Sequence, residues 1–252
     1  MSNRLLLSIS ATIFVATALI VAIFGVIPLP EYEDLKSDSR ITGKLIFNVE
    51  IQTENILPPA PDILDTCIFY IDLSTESLTE ETIICSSDLY ELSYDINFYD
   101  AQIYEEQNII LNYWDYESNN ERKGLIIDPA TGKIIEQINI EFYPNENNKI
   151  NIYGEKLIDP WESSDYNSRS IGIYYVSKTE TLEVFNSRAP SNYYFESLHW
   201  SPDGNYIVAS DSENNLIIFS KNKSFTPFKI HLKMKSSKNE NIEMINLLGW
   251  TN

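Results

Sequence analysis

The chain has 252 residues, with 18 Lys and Arg against 37 Asp and Glu, for a formal net charge of −19. So acidic a chain excludes nucleic acid as a partner, because phosphate contacts need a basic face. Eight Gly and eleven Pro exclude collagen-like and linker-like chains, two Cys exclude a disulfide-dense mini-scaffold, and 43% apolar residues suffice for a packed core.

The first element runs from Leu5 to Ile27, 23 residues without a charge. As a helix it is long enough to cross a hydrocarbon layer of about 30 Å. Arg4 precedes it, and Glu31, Glu33 and Asp34 follow it. That charge bias places the N-terminus in the cytoplasm and the rest of the chain outside it. A cleaved secretory signal is the competing reading, with Ala16-Thr17-Ala18 as its small-residue site. The apolar run continues past that site to Ile27, which favours an uncleaved anchor. A buried core helix is a third reading, disfavoured by the terminal position and the all-round apolarity. No Cys follows the run directly, so a lipid anchor is not expected. The organisation expected is an anchor over 1–27, a juxtamembrane linker over 28–40 and one β domain over 41–252.

Beyond Arg40 the apolar residues fall in short runs rich in Ile, Val, Tyr and Phe. These are Lys44–Glu50, Asn108–Tyr113, Leu125–Asp128, Ile171–Val176, Tyr206–Ser210 and Leu216–Ser220. Each is bounded by Asn, Asp, Ser, Gly or Pro, the signature of strands joined by turns. No stretch of ten or more residues past the apolar run carries helical periodicity.

Three hairpins repeat: IDLSTESL at 71–78, IDPATGKI at 127–134 and YVSKTETL at 175–182. Thr75, Thr131 and Thr179 hold the same place in them. FSKNKSF at 219–225 is a weaker fourth copy, with Asn222 in the Thr position. Each hairpin follows another strand: Lys44–Glu50, Asn108–Tyr113, Lys149–Tyr153 and Tyr206–Ser210. The unit is therefore at least three antiparallel strands, at a spacing that suits the blades of a β-propeller.

Cys67 and Cys85 flank the first hairpin symmetrically and would face each other across it. Facing positions can meet the distance requirement of a disulfide, and an oxidising compartment would permit one. Two buried free thiols are the alternative.

A fourth strand stands out at Tyr193–Trp200, which runs into Trp200-Ser201-Pro202-Asp203-Gly204. This string, followed by the apolar YIVAS, resembles the signature of TolB-type, WD40-like propeller repeats. Trp200 can fill the gap between blades, Pro202 presets φ for a turn, Asp203 can bond backbone amides and Gly204 supplies positive φ. The resemblance implies a binding platform and does not imply catalysis. A β-sandwich with a Pro-Asp-Gly turn is the other architecture that turn signals allow. The fold class expected is all-β, a propeller-like array of about four antiparallel blades after one N-terminal transmembrane helix.

The last element, Ile242–Trp250, reads as another inner strand. If it docks on Lys44–Glu50, it completes the first blade and closes a ring, removing exposed sheet edges. A larger propeller cut short is the alternative.

Catalytic chemistry has no motif here. His199 and His231 are the only histidines, and no G-x-S-x-G elbow, CxxC, HExxH, Walker loop or G-x-G-x-x-G occurs. No catalytic residue, metal or cofactor is therefore assigned. Glu80-Glu81 and Glu105-Glu106 are acid pairs of the kind glycoside hydrolysis uses, in a chain where chance adjacency is common. DYESNNE at 115–121 lacks the Gly and the final acid of a calcium loop and reads as a hairpin tip.

Lys221, Lys223, Lys229, Lys233, Lys235 and Lys238 form an acid-free stretch, while residues 28–220 hold 11 basic and 35 acidic residues. The stretch reads as a solvated edge strand and loop guarded by Lys, or as a site for an anionic membrane or acidic partner.

The function expected is non-catalytic binding of a protein or peptide by a domain held outside the membrane. The binding residues expected are in the long loops Gln52–Asp65 and Gly154–Arg169, with Trp161 and Tyr166 in the second. The rival readings are part of a larger propeller without independent function, and a hydrolase or lyase using loop carboxylates.

Overall fold

The structure, a computed structural model, describes residues 30, 32–35, 41–53, 63–75, 78–90, 92, 95–104, 107–115, 121–140, 150–158, 170–190, 192–222, 226–232 and 240–252. The apolar run at 5–27 lies outside them. No helix among the described residues is long and apolar enough to cross a membrane.

The fold is all β. In chain order the strands are β1 (Glu33–Asp34), β2 (Lys44–Thr53), β3 (Ile63–Asp72), β4 (Glu80–Cys85), β5 (Asp95–Tyr104), β6 (Asn108–Asp115), β7 (Glu121–Asp128) and β8 (Lys133–Asn139). They continue as β9 (Lys156–Leu157), β10 (Ser170–Ser177), β11 (Glu180–Arg188), β12 (Phe195–Trp200), β13 (Tyr206–Asp211), β14 (Leu216–Ser220), β15 (Phe228–Ile230) and β16 (Glu240–Thr251). A short 3-10 helix, Ser86–Leu89, follows β4.

Among the described residues these strands form four sheets. Sheet one has the order β16-β2-β3-β4, sheet two β5-β6-β7-β8 and sheet three β11-β10-β9, all antiparallel. Sheet four has the order β1-β15-β14-β13-β12, antiparallel except for β1. The last strand does pair with the first long one: Trp250 sits opposite Leu45, and Leu247 opposite Phe47.

Side-chain alternation explains why the strands are apolar runs rather than strictly alternating. On β2, Leu45, Phe47 and Val49 pack with Val208, Leu216 and Ile218 of sheet four. Ile46, between them, packs with Ile109, Leu111 and Ile127 of sheet two. On β14, Leu216 and Ile218 face sheet one, while Ile217 and Phe219 join Ile171, Ile173 and Tyr175 of sheet three. Sheets one and four thus have a neighbour on each face, so both residue parities are buried. The outer strands differ: β8 is almost wholly exposed and β11 mostly so.

The repeated turns share a device. Asp72 Oδ1 accepts from Ser74 N (2.9 Å), and Asp128 Oδ1 from Ala130 N (3.0 Å). Thr75 Oγ1 donates to Asp72 O (2.8 Å) and Thr131 Oγ1 to Asp128 Oδ2 (2.7 Å). These are Asx turns, in which the carboxylate satisfies amides that the ladder leaves unpaired. The copy at Thr179 departs from them because Val176 stands where the Asp would be. There β10 and β11 join through Lys178 and Thr179, with Lys178 at φ +54°.

Of the strand expected over Lys149–Tyr153, Lys149 lies outside the described residues, and Ile150–Tyr153 do not form it. Asn151 Oδ1 accepts from Tyr153 N (2.9 Å) and Glu155 N (3.0 Å), Gly154 takes φ +74°, and Ile150 bridges Lys156. The Asn captures the amides that a strand would need, so the segment turns and the strand is displaced to β9.

Residues 32–35, read as linker, dock on sheet four. Glu33 N donates to Pro227 O (3.1 Å) and Leu35 N to Lys229 O (3.2 Å). The Tyr32 hydroxyl lies 2.9 Å from that of Tyr193, which donates to Asp211 Oδ2 (2.9 Å). Burial, first of all, holds both phenols far above their usual pKa. His231 Nε2 lies 3.2 Å from Asp34 Oδ1 at the surface.

Cys67 and Cys85 face each other in the β3–β4 register, and their sulfurs are bonded. Reduction, or the double substitution Cys67→Ser and Cys85→Ser, should lower stability by about 2–4 kcal/mol. A shifted urea midpoint would report it. An unmoved midpoint would mean that strand pairing and packing hold this edge without the covalent bond.

Candidate binding cleft

The cleft begins with an irregularity in β5. Asn97 pairs with Asn112, yet the next ladder pair is Gln102 with Ile110. Phe98–Ala101 therefore face Leu111 alone and bulge out of the sheet. The Asn97 side chain organises the bulge: its Oδ1 accepts from Tyr99 N (2.9 Å) and Asp100 N (3.3 Å). Asn112 Nδ2 donates to Asp100 O (3.1 Å), and Asn48 Nδ2 of β2 donates to Phe98 O (2.8 Å). Side-chain amides thus replace the missing ladder partners. Asn48 is only 1% exposed, and its Oδ1 has no hydrogen-bond partner among the described residues.

The bulge opens a cleft of ≈ 500 Å³ lined by Thr66, Ser86, Ile96–Asp100, Asn112–Trp114 and Arg122. Phe98 and Tyr113 are buried in its floor, whereas Tyr99 and Trp114 are 44% and 45% exposed. Asp100 Oδ2 accepts from Asn97 Nδ2 (3.0 Å) and lies 3.5 Å from Arg122 Nη2. The Arg122 guanidinium sits 5.9 Å from the Trp114 ring centre. Tyr99 OH donates to Glu50 Oε2.

The wall opposite is fixed by Asp65, which accepts from Ser86 Oγ (2.5 Å), Ser87 N (3.1 Å) and Ser87 Oγ (2.7 Å). Thr66 and Ser86 are the neighbours of the two cysteines, so the disulfide also holds this wall. Asp65, Cys67 and Cys85 are a group of potential metal donors within 4.8 Å of one another. Both sulfurs belong to the disulfide, so the group does not fit a metal ion.

A second cluster lies where sheets three and four meet. Lys221 Nζ is 2.5 Å from Glu155 Oε2 and sits over the rings of Tyr175 (5.1 Å), Tyr153 (5.4 Å) and Trp200 (5.7 Å). Burial opposes ionisation of Glu155, but the bonds from Lys221 and Asn151 hold its carboxyl below the usual range. The place is filled by the chain's own ammonium, so it works as an internal clamp. Lys221 is in this respect not the solvated loop residue expected from the Lys-rich stretch.

The residues singled out from sequence are distributed as follows. Trp200 ends β12, is 6% exposed and meets Tyr175 of sheet three edge-on at 5.4 Å. Ser201 Oγ donates to Asp203 Oδ1 (2.5 Å) and accepts from Tyr206 N (2.9 Å). Asp203 Oδ1 also accepts from Asn205 N (3.1 Å), and Gly204 takes φ +66°. Pro202 lies in the same turn. The motif is therefore a corner of the scaffold. Trp161 and Tyr166 lie outside the described residues. Gln52 and Thr53, and Ile63–Asp65, belong to β2 and β3 rather than to a loop, so the ladder shortens the loop expected there. Asp115, the first acid of DYESNNE, pairs with Lys123 (2.5 Å), and residues 116–120 lie outside the described residues. Glu80 and Glu81 are strand neighbours and so lie on opposite faces of β4.

The sequence pattern does not single out the cleft residues. Trp114 is the exposed position in a strand otherwise buried from Ile109 to Asp115, which the run of apolar and aromatic residues does not reveal. Its pairing with Arg122 across β6 and β7 needs the hairpin register.

No protein-family model and no curated protein matches the chain. Among solved structures it is similar to a protein from Lactobacillus plantarum, at 10% identity over 76% of this chain and 82% of that one. The TM-score is 0.16, too low to bear on fold or function.

Proposed function

We propose that the chain is a membrane-anchored, extracytoplasmic β-propeller of four blades, akin to TolB-type repeat proteins, that binds a protein or peptide without catalysis. Four sheets packed face to face in the order two, one, four, three support the architecture, as does the completion of sheet one by β16. The apolar run at 5–27 supports anchoring, and the disulfide supports an oxidising compartment.

The observation that carries the binding function is Trp114, exposed beside Tyr99 and Arg122 at a pre-formed cleft. Trp, Tyr and Arg are the residues that concentrate binding energy at protein interfaces. Peptides selected from a random display library on the full-length chain should therefore lose about thirtyfold in affinity with Trp114→Ala, about 2 kcal/mol. Selected peptides indifferent to that substitution would move the site away from the cleft, with the segment holding Trp161 and Tyr166 next to be tested.

A further inference from the structure

We propose that the cleft receives a basic side chain, an arginine or lysine presented by an extended peptide. This rests on the reading of the cleft as a peptide site and names the chemistry of what enters it.

Tyr99 is an exposed ring whose hydroxyl is hydrogen-bonded to a carboxylate. Asp100 follows it in the chain with a side chain 40% exposed, and Glu50 accepts the hydrogen bond of its hydroxyl. An exposed, electron-rich ring attracts a cation through its face, and the Glu50 carboxylate at its hydroxyl adds to that attraction. Among the described residues that line the cleft the charged ones are Asp100 and Arg122, and the carboxylates of Glu50 and Asp65 stand just behind Tyr99 and Ser86.

Arg122 also shows what this surface accepts, since its guanidinium lies over the second exposed ring, Trp114. Its charge is offset by Asp100, so the nearby carboxylates of Glu50 and Asp65 decide the sign of the local field. The same chemistry recurs elsewhere in the chain. Lys44 Nζ lies 4.6 Å from the Tyr70 ring centre, and Lys221 is held by three rings and Glu155. The wider field agrees, because residues 28–220 carry 35 acids against 11 bases. Such a field steers cationic ligands inward and repels acidic ones. A guanidinium is favoured over an ammonium, because its plane can stack on Tyr99 while its N–H groups reach Asp100.

The test titrates the full-length chain with acetyl-Gly-Arg-Gly-Arg-Gly-amide and with its Glu counterpart, by calorimetry at low and high salt. The Arg peptide should bind and weaken with salt. Asp100→Asn should cost about tenfold, or about 1.4 kcal/mol. Tyr99→Leu, at an exposed position, should weaken binding similarly. Glu136→Gln, on the exposed face of β8, should leave it unchanged.

If Glu136→Gln weakens binding as much as Asp100→Asn, diffuse charge is responsible and the proposal falls. If the Glu peptide binds instead and Trp114→Ala abolishes that binding, the cleft stands as a site but its cationic preference is overturned. If neither peptide binds, the proposal falls, and the library selection decides separately whether the cleft is a site at all.

Discussion

Truncation before Glu240 is expected to abolish the cooperative unfolding of the domain. β16 pairs with β2 from Glu240 to Thr251. Its side chains serve two cores: Leu247 and Trp250 pack between sheets one and four, and Leu248 packs between sheets one and two. Burying three such side chains contributes about 4.5–9 kcal/mol at about 1.5–3 kcal/mol each. That is comparable with the whole stability of a domain, about 5–15 kcal/mol. Trp250 further donates through Nε1 to Thr42 O (3.0 Å), tying the strand to the entry of β2. Without β16, β2 would become a long apolar edge, which invites aggregation. Circular dichroism melts of the full and truncated chains make the comparison. A sharp, unshifted melt after truncation would remove strand closure as the device that holds the domain together.

Trp200→Ala is the second large effect, expected to cost about 3–5 kcal/mol. The indole is nearly buried, meets Tyr175 edge-on and covers Lys221. Its removal leaves a void between sheets three and four and lets water reach the Lys221–Glu155 pair. The penalty should not add to that of Lys221→Met, because both substitutions act on one cluster. Urea denaturation of both single variants and the double variant measures the coupling. A Trp200→Ala cost below about 1 kcal/mol would mean that the sheets pack around the vacancy and that the corner is not a keystone.

What is legible from the sequence depends on where each signal resides. Trp200-Ser201-Pro202-Asp203-Gly204 can be read because its turn is made within neighbouring residues: Ser201, Asp203 and Gly204 act on one another and on Asn205 and Tyr206. The hairpins at Thr75 and Thr131 are legible for the same reason, since Asp72 and Asp128 bond residues two and three positions ahead. The facing of Cys67 and Cys85 needs only the symmetry of one hairpin. Lys149–Tyr153 misleads because an Asn inside an apolar run can complete a strand or capture amides ahead of it, and the apolar pattern does not separate the two.

The cleft belongs to the other category. Its bulge is stabilised by Asn48, 50 residues from Phe98, and its rim by the contact of Tyr99 with Glu50, 49 residues away. Local pattern carries no information about such partners. The Lys221 clamp joins residues 66 apart and is hidden in a run of lysines that otherwise reads as solvent-facing.

By itself the sequence determined the elements that rest on neighbouring residues: all-β character, most strand positions, the Asp-Thr turns at Thr75 and Thr131, and the apolar N-terminal run. Only the tertiary structure decided which sheets face one another, that sheets one and four are covered on both sides, and that a bulge in β5 opens a cleft beside Trp114. Strand propensity and turn chemistry act within a few residues, whereas sheet packing and the cleft depend on contacts between residues tens to hundreds of positions apart.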